Sequence, residues 1–364
     1  MQYLLYFSLA FGFSVLFTLL AKRFALRLRI FDLPGKRKIH TAPTLLLGGL
    51  AIFFSFALSV IVYLKISQPN FSVIPLKFFV AILLGGLVLA LGGFLDDKYN
   101  LPPKVLWLFP ALASLIAVTA GIGSGITQIS NPLGSPIPLD FKLSIISYQL
   151  SISSLFVWLW LMGMIFTTKF LDGLDGLCSG IALIGGLTMF SLSLLPHINQ
   201  PITASLAIIF SGSILGFLIF NFHPASIFLG ESGSTFLGFI LGILSVILGG
   251  KIATALLVMG IPILDVAWAI TRRLWYHRSP FSADRLHLHH RLLDIGLTQR
   301  QTVGVLWALS AFFGFSAVFL QTLGKLIALI ILLCVMVFLA ISAVMVYKQK
   351  HPHIPDLFDQ PNKH

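Results

Sequence analysis

Apolar residues along this chain gather in runs of seventeen or more, longer than the core helices of most water-soluble domains need and long enough to cross a bilayer. Eleven such runs can be traced, at about residues 3–21, 45–64, 77–95, 105–121, 152–168, 177–195, 202–220, 234–250, 252–270, 304–320 and 326–347. The pattern predicts an all-α polytopic membrane protein of about eleven transmembrane helices, one integral domain over residues 1–347 followed by a polar tail, 348–364. The first run lacks a basic leader and ends in Lys22 and Arg23 without a small-residue cleavage site, so it reads as a retained span rather than a signal peptide. Between the fourth and fifth runs, Gly121, Gly123, Gly125, Asn131, Pro132, Pro136 and Pro138 mark an irregular loop or a small hairpin.

Composition agrees with this reading, with 57% apolar and 10% charged residues, outside the range of soluble globular domains. Cys178 and Cys334 fall in or beside apolar runs, which excludes a disulfide framework and predicts two small buried side chains. The net charge of +12 raises nucleic acid as a partner, but no aromatic-interleaved basic groove accompanies it, so none is expected. The charge follows topology instead. Segments 22–44, 96–104, 169–176, 221–233, 271–303 and 348–364 hold 19 of the 24 Lys and Arg, and the opposite set holds five. Basic residues favour the cytoplasmic side, which predicts an external N-terminus and a cytoplasmic C-terminus. Eleven of the twelve acidic residues lie in the same segments or, for Asp265, near the inner end of its span.

That inner side carries five polar constellations. Phe31 to His40, FDLPGKRKIH, offers Lys36, Arg37, Lys38 and His40, either as topogenic charges or as phosphate ligands, and Gly48 and Gly49 beyond it permit close backbone approach. In LDDKYNLPPK, Asp96 and Asp97 directly follow a span, a pair that repels itself unless a cation or proton intervenes, and Pro102 and Pro103 suit the first turn of the next helix. TTKFLDGLDGL sets Asp172 and Asp175 on one face if helical, or in a tight glycine turn, with Lys169 in reach of both. In NFHPASIFLGESGSTFLG, Glu231 enters a helix, where the amides of Gly230, Gly233 and Ser234 could cradle an anion and Glu231 a cation. Residues 272–296 combine Arg272, Arg273, Arg278, Arg285, His287, His289, His290 and Arg291 without a nearby cysteine, a set that suits phosphate better than zinc. Asp265 is expected to pair with an arginine or to meet substrate. The tail histidines His351, His353 and His364 read as a loose polar end. A phosphate-bearing soluble molecule meeting a lipid-dissolved one at the inner surface fits all five, with a transporter or anion channel as the competing class.

In order and combination, PGKRKIHTAP with GGLA, LGGFLDD, FLDGLDGL, NFHPASIFLGESGS and RSPFSADRLHLHHRLLDIGLTQRQ resemble the polyprenyl-phosphate N-acetylhexosamine-1-phosphate transferases (glycosyltransferase family 4) over about Phe31 to Gln301. The resemblance is nearer to the branch using UDP-GlcNAc than to the muramoyl-pentapeptide branch. It implies a multi-pass enzyme of the bacterial cytoplasmic membrane with its active site on the cytoplasmic face. The implied reaction is Mg²⁺- or Mn²⁺-dependent transfer of a HexNAc 1-phosphate from a UDP-HexNAc to undecaprenyl phosphate, with UMP released and a lipid-linked envelope glycan begun; a homodimer is a further expectation. By the same resemblance Asp96, Asp97, Asp172 and Asp175 are catalytic, and Glu231 and Asp172 bind the metal. It likewise implies that Arg285, His287, His289, His290 and Arg291 bind phosphate or sugar, and the charges of Lys36, Arg37, His40 and Lys169 are expected to join them.

Three departures stand against the family pattern. Lys169 lies where an amide-rich run is usual, Glu231 replaces aspartate, and Leu45 and Leu46 replace proline and arginine. Lys169 and Glu231 would compensate each other if coupled; a non-catalytic homologue would also carry such changes.

Overall fold

The computed structural model describes residues 1–35, 42–126, 128–129, 131, 134–135, 137–138, 142–145, 148–249, 251–275 and 287–350. The expected phosphate ligands Lys36, Arg37, His40 and Arg285, and the tail histidines, lie outside the described residues.

Every apolar run falls on helix. In chain order these are α1 (Gln2–Leu28), α2 (Gly48–Ser67), α3 (Leu76–Tyr99), α4 (Pro103–Leu106), α5 (Leu108–Thr119), α6 (Ile152–Leu171), α7 (Leu177–Ser193), α8 (Pro201–Asn221), α9 (Gly230–Ile247), α10 (Ile252–Val258), α11 (Gly260–Trp275), α12 (Leu288–Asp294), α13 (Gln299–Phe319) and α14 (Thr322–Lys350). Among the described residues eight are long and apolar enough to cross a membrane: α1, α2, α3, α6, α8, α9, α13 and α14. The runs at 105–121 and 177–195 form shorter helices, and the run at 252–270 is broken into α10 and α11, which meet at 82°. The fold is thus all-α and polytopic. Pro103 opens α4 in the first-turn position expected for it. Between α5 and α6 lie two short antiparallel pairs, β3 (Gln128–Ile129) with β4 (Ile137–Pro138) and β5 (Lys142–Ile145) with β6 (Tyr148–Ser151). They follow β1 (Phe31–Asp32), which pairs with β2 (Thr44–Leu45) between α1 and α2.

Helices α8 and α9 form the centre, buried along nearly their whole lengths, while α14 lies mostly outside. Hydroxyls in these helices return to carbonyls one turn back, as in Ser205 to Pro201 and Ser213 to Ile209, so few polar groups meet apolar surroundings unpaired. Others tie helices together. Ser14 Oγ donates to the Ser213 carbonyl at 2.5 Å and Ser55 Oγ to the Ala10 carbonyl at 2.7 Å, which links α1, α2 and α8. Gly49 of α2 and Gly93 of α3 press onto the backbone of α9 at Gly233 and Ser232, too closely for any side chain. Close approach, rather than ligand access, is therefore the role of Gly49. Of the two cysteines, Cys178 is buried as expected, but Cys334 is exposed on α14. An apolar outer face is as suitable for cysteine as a core when lipid is the solvent.

Candidate active site

The described parts of the five constellations lie at one end of the bundle, where α3, α6 and α8 finish and α7 and α9 begin. Short connections at this end, glycine-rich at residues 172–176, let the chain turn at once, so polar side chains from distant segments converge. They surround a cavity of about 520 Å³ lined by Asp32, Thr44, Leu46, Asp172, Asp175, Asn221, His223, Gly230 and His290, among others.

Asp172 and Asp175 lie in a tight turn, not on a helical face. Gly173 N–H donates to the Leu171 carbonyl at 2.8 Å, and Gly176 takes a left-handed φ of 75° before α7 starts. Asn221, the last residue of α8 and only 4% exposed, holds this turn in place. Its Oδ1 accepts from Gly176 N–H at 3.2 Å and Ser179 Oγ at 2.8 Å, and its Nδ2 donates to the Ile227 carbonyl at 3.1 Å. Asp175 Oδ2 contacts His223 Nδ1 at 2.7 Å and accepts from Ala225 N–H at 3.1 Å. Arg300 donates from Nε and Nη2 to the His223 carbonyl, at 3.1 and 2.9 Å. Asp172 is exposed where it opens into the cavity. Desolvation by the surrounding protein, with the negative charges of Glu231 and Asp175 added, pushes its carboxyl up to about 8.

Behind the turn, α3 meets the start of α9. Asp97 Oδ1 accepts from Glu231 N–H at 3.2 Å, a carboxylate on the positive end of a helix. Gly230 has φ +73° and passes so close to Asp97 that a Cβ would lie 2.5 Å from Oδ2. That oxygen is sealed from solvent and has no hydrogen-bond partner among the described residues. The N-terminus of α9 is therefore occupied by the protein's own carboxylate, and Gly233 is packed on Gly49, so the anion cradle expected from Gly230, Gly233 and Ser234 does not form. Asp96 Oδ1 accepts from Leu101 N–H at 2.9 Å and so also shapes the turn after α3. The first loop docks on the same junction: Phe228 N–H donates to the Leu45 carbonyl and Gly49 N–H to that of Leu229, both at 2.8 Å. Leu45 is buried there, and Leu46 faces the cavity.

Lys169 Nζ lies 2.8 Å from Glu231 Oε1. The two departures from the family pattern are thus one ion pair, with the side chains 24% and 12% exposed.

The histidine segment packs as a stack. His287 lies over Phe170 and His289, with ring centroids 6.3 and 5.8 Å away, and His289 meets His290 at 4.3 Å. Asp265 pairs with His287 Nδ1 at 2.8 Å and accepts from Leu288 N–H at 2.8 Å, so its partner is a histidine. His289 is buried with Nε2 against Gly173, and burial, then the imidazoles of His290 and His287, hold its basicity well below the ordinary value. It stays neutral at pH 7. His290 reaches the cavity, while His287 and His289 stand behind it. The arrangement unites Asp96, Asp97, Asp172, Asp175, Lys169, Glu231 and His290 at one end of the bundle. It also adds Asn221, His223 and Arg300, which reading of the motifs passed over.

Among the described residues no three His, Cys, Asp or Glu side chains converge as a ready-made metal site. Their chemistry still suits a hard divalent cation: carboxylate oxygens from three helix ends, one of them buried and unpartnered, with Asp172 resisting ionisation beside its negative neighbours.

The chain is also similar to known proteins. The model of the family described as glycosyl transferase family 4 matches residues 79–249. A probable undecaprenyl-phosphate N-acetylglucosaminyl 1-phosphate transferase of Bacillus subtilis is 32% identical over 337 residues, 90% of this chain and 88% of the relative. A decaprenyl-phosphate N-acetylglucosaminephosphotransferase of Mycobacterium leprae is 33% identical over 303 residues, 76% of this chain and 73% of the relative. An undecaprenyl-phosphate alpha-N-acetylglucosaminyl 1-phosphate transferase of Thermotoga maritima is 30% identical over 268 residues, 73% and 74% of the two chains. Similarity of this extent places it plainly: the chain belongs to glycosyl transferase family 4, among the polyprenyl-phosphate N-acetylglucosamine-1-phosphate transferases.

Proposed function

We propose that the protein transfers GlcNAc 1-phosphate, or a closely related HexNAc 1-phosphate, from its UDP-sugar to undecaprenyl phosphate, releases UMP and so begins a lipid-linked envelope glycan. The carrying observation is the convergence of Asp97, Asp172, Lys169 and Glu231 at one end of an apolar bundle, beside a cavity with Asp175, His223 and His290 on its wall. An oxygen of the lipid phosphate bonds to the sugar-bearing phosphorus, and the bond from that phosphorus to the bridging oxygen breaks, this oxygen leaving on UMP. The nucleophile is already ionised and needs alignment and charge neutralisation more than a base. Asp96, in the last turn of α3, would orient the lipid phosphate and Asp97 would support it.

Glu231 and Asp172 would hold Mg²⁺ or Mn²⁺, with Asp97 behind them; such an ion supplies charge neutralisation for the diphosphate. Asp175 fixes His223, and with His290 on the wall this side of the cavity suits the donor. The charge asymmetry of the connecting segments supports eleven membrane passages, an external N-terminus, a cytoplasmic C-terminus and a site on the cytoplasmic face of a bacterial inner membrane. A homodimer belongs to the same proposal.

Purified full-length protein incubated with UDP-GlcNAc, undecaprenyl phosphate and Mg²⁺ should release UMP in step with lipid-linked product. Absence of UMP with a panel of UDP-HexNAc donors would reject the reading. A second reading, a nucleotide-sugar binder without turnover, draws on the Lys169–Glu231 pair; it expects donor binding and no UMP from wild type or Glu231→Ala alike.

A further inference from the structure

Glu231 is engaged twice. Its backbone N–H is held by Asp97, and its side-chain Oε1 by the Lys169 ammonium at 2.8 Å. Both partners come from other helices, α3 and α6, so the carboxylate is fixed in place rather than free at the cavity edge. Lys169 is the last basic residue of α6, three positions before Asp172, and stands next to a group of carboxylates that includes the unpartnered Asp97 Oδ2. A cluster of negative charges in a recess needs compensation, and here an ammonium on a tether supplies part of it.

We propose that Lys169 is an exchangeable counter-ion: its ammonium and a divalent cation compete for the Glu231 carboxylate, and cation entry frees the ammonium to meet the phosphates of the donor. This deepens the transferase reading and rests on it. Two positive groups on one carboxylate repel each other at contact distance, so full occupancy by one disfavours the other. Removing the dication lets the ammonium return, which keeps the recess partly neutralised when no donor is bound. The order of binding follows: the Lys169 charge becomes available to phosphate only after the dication, alone or with the donor, has taken Glu231.

The exchange is measurable without turnover. In the full-length protein in detergent, labelling of Lys169 by an amine-acylating reagent, read by peptide mass spectrometry, should rise several-fold on adding Mn²⁺, with the same half-saturation as Mn²⁺ binding. In Lys169→Gln, Mn²⁺ should bind at least about tenfold more tightly, because a competing positive charge is gone; Lys169→Arg, which keeps the charge, should bind as wild type. Mn²⁺ binding that leaves Lys169 labelling unchanged, or equal affinity in wild type and Lys169→Gln, overturns the exchange while leaving the transferase reading intact. The wild-type labelling arm stands if Lys169→Gln does not fold. No Mn²⁺ binding to wild type or variant, with UMP still released from donor and acceptor lipid, overturns the exchange and the cation assignment together but spares the transfer reaction. Loss of both binding and UMP release overturns the transferase reading as well.

Discussion

Replacing Asn221 by alanine should loosen the aspartate turn more than any surface change of the same size. The amide makes three hydrogen bonds, two accepted by Oδ1 and one donated by Nδ2, and its residue is only 4% exposed. Hydrogen bonds between helices in membrane proteins average about 0.6 kcal/mol, so three lost bonds set a lower value of about 2 kcal/mol. Leaving buried partners unmet costs about 1–3 kcal/mol each, which would raise the sum well above that. One relaxation reduces it: Ser179 can turn its hydroxyl to a carbonyl of its own helix. A loss of about 2–4 kcal/mol remains. Thermal or denaturant unfolding of the full chain in detergent would measure it. Asn221→Asp keeps the acceptor but sets a carboxylate against the Ile227 carbonyl, so it should be at least as damaging at pH 7 and recover in acid. Asn221→Ala within about 0.5 kcal/mol of wild type would refute the idea that this amide clamps the turn.

Gly230→Ala combines a left-handed φ with a Cβ placed against Asp97 Oδ2, and should cost about 1–2 kcal/mol in unfolding experiments and displace Asp97; wild-type stability would contradict the contact. Asp265→Asn preserves shape but removes the charge beside His287 Nδ1, so kcat/KM for UMP release should fall about tenfold with little change in melting; an unchanged rate would count against a positioning role. The proton on Asp172, held up to about pH 8 in the absence of a cation, must leave when a cation binds. Apparent Mn²⁺ affinity should therefore rise by up to about tenfold per pH unit from pH 6 toward 8 and level above it. Calorimetry in two buffers of different protonation enthalpy checks this, and an affinity flat over that range in wild type, matching Asp172→Asn, would contradict it.

Much of the architecture could be read in advance because long apolar runs have few alternatives in a bilayer. The same chemistry concealed the order of packing. A helix that faces lipid and one that faces other helices are both apolar, so nothing in the composition of α8 or α9 marks them as central, and Cys334 could not be told from a core cysteine. The break between α10 and α11 lies within one continuous apolar run; Gly260 and Pro262 stand at it, but the length of the run suited a single span. At the site, residue types pointed to the right neighbourhood, since charges in such a chain have few places to go. Pairings were less accessible. Asp265 meets His287 across 22 residues and Asp175 meets His223 across 48, separations that carry no periodic signal. Asn221 and His223 stood inside a quoted motif, but an amide and an imidazole at a helix end suggest no function until the turn they hold is visible. Lys169 and Glu231 differ, because two unusual residues near one cluster already suggested coupling, and the 2.8 Å contact supplies it.

Glu231 is the second residue of α9 and Asn221 the last of α8, the two helices with the least surface outside the bundle. Proteins open in cooperative units of unequal stability, and buried helices belong to those that open last. The backbone amides that carry this site should accordingly exchange their hydrogens among the slowest in the molecule, while those of the outlying α14 exchange early. Heating should abolish ligand binding at the temperature of global melting and not before it, because Glu231 and the Asn221 clamp on the aspartate turn stay in place while the two innermost helices remain packed.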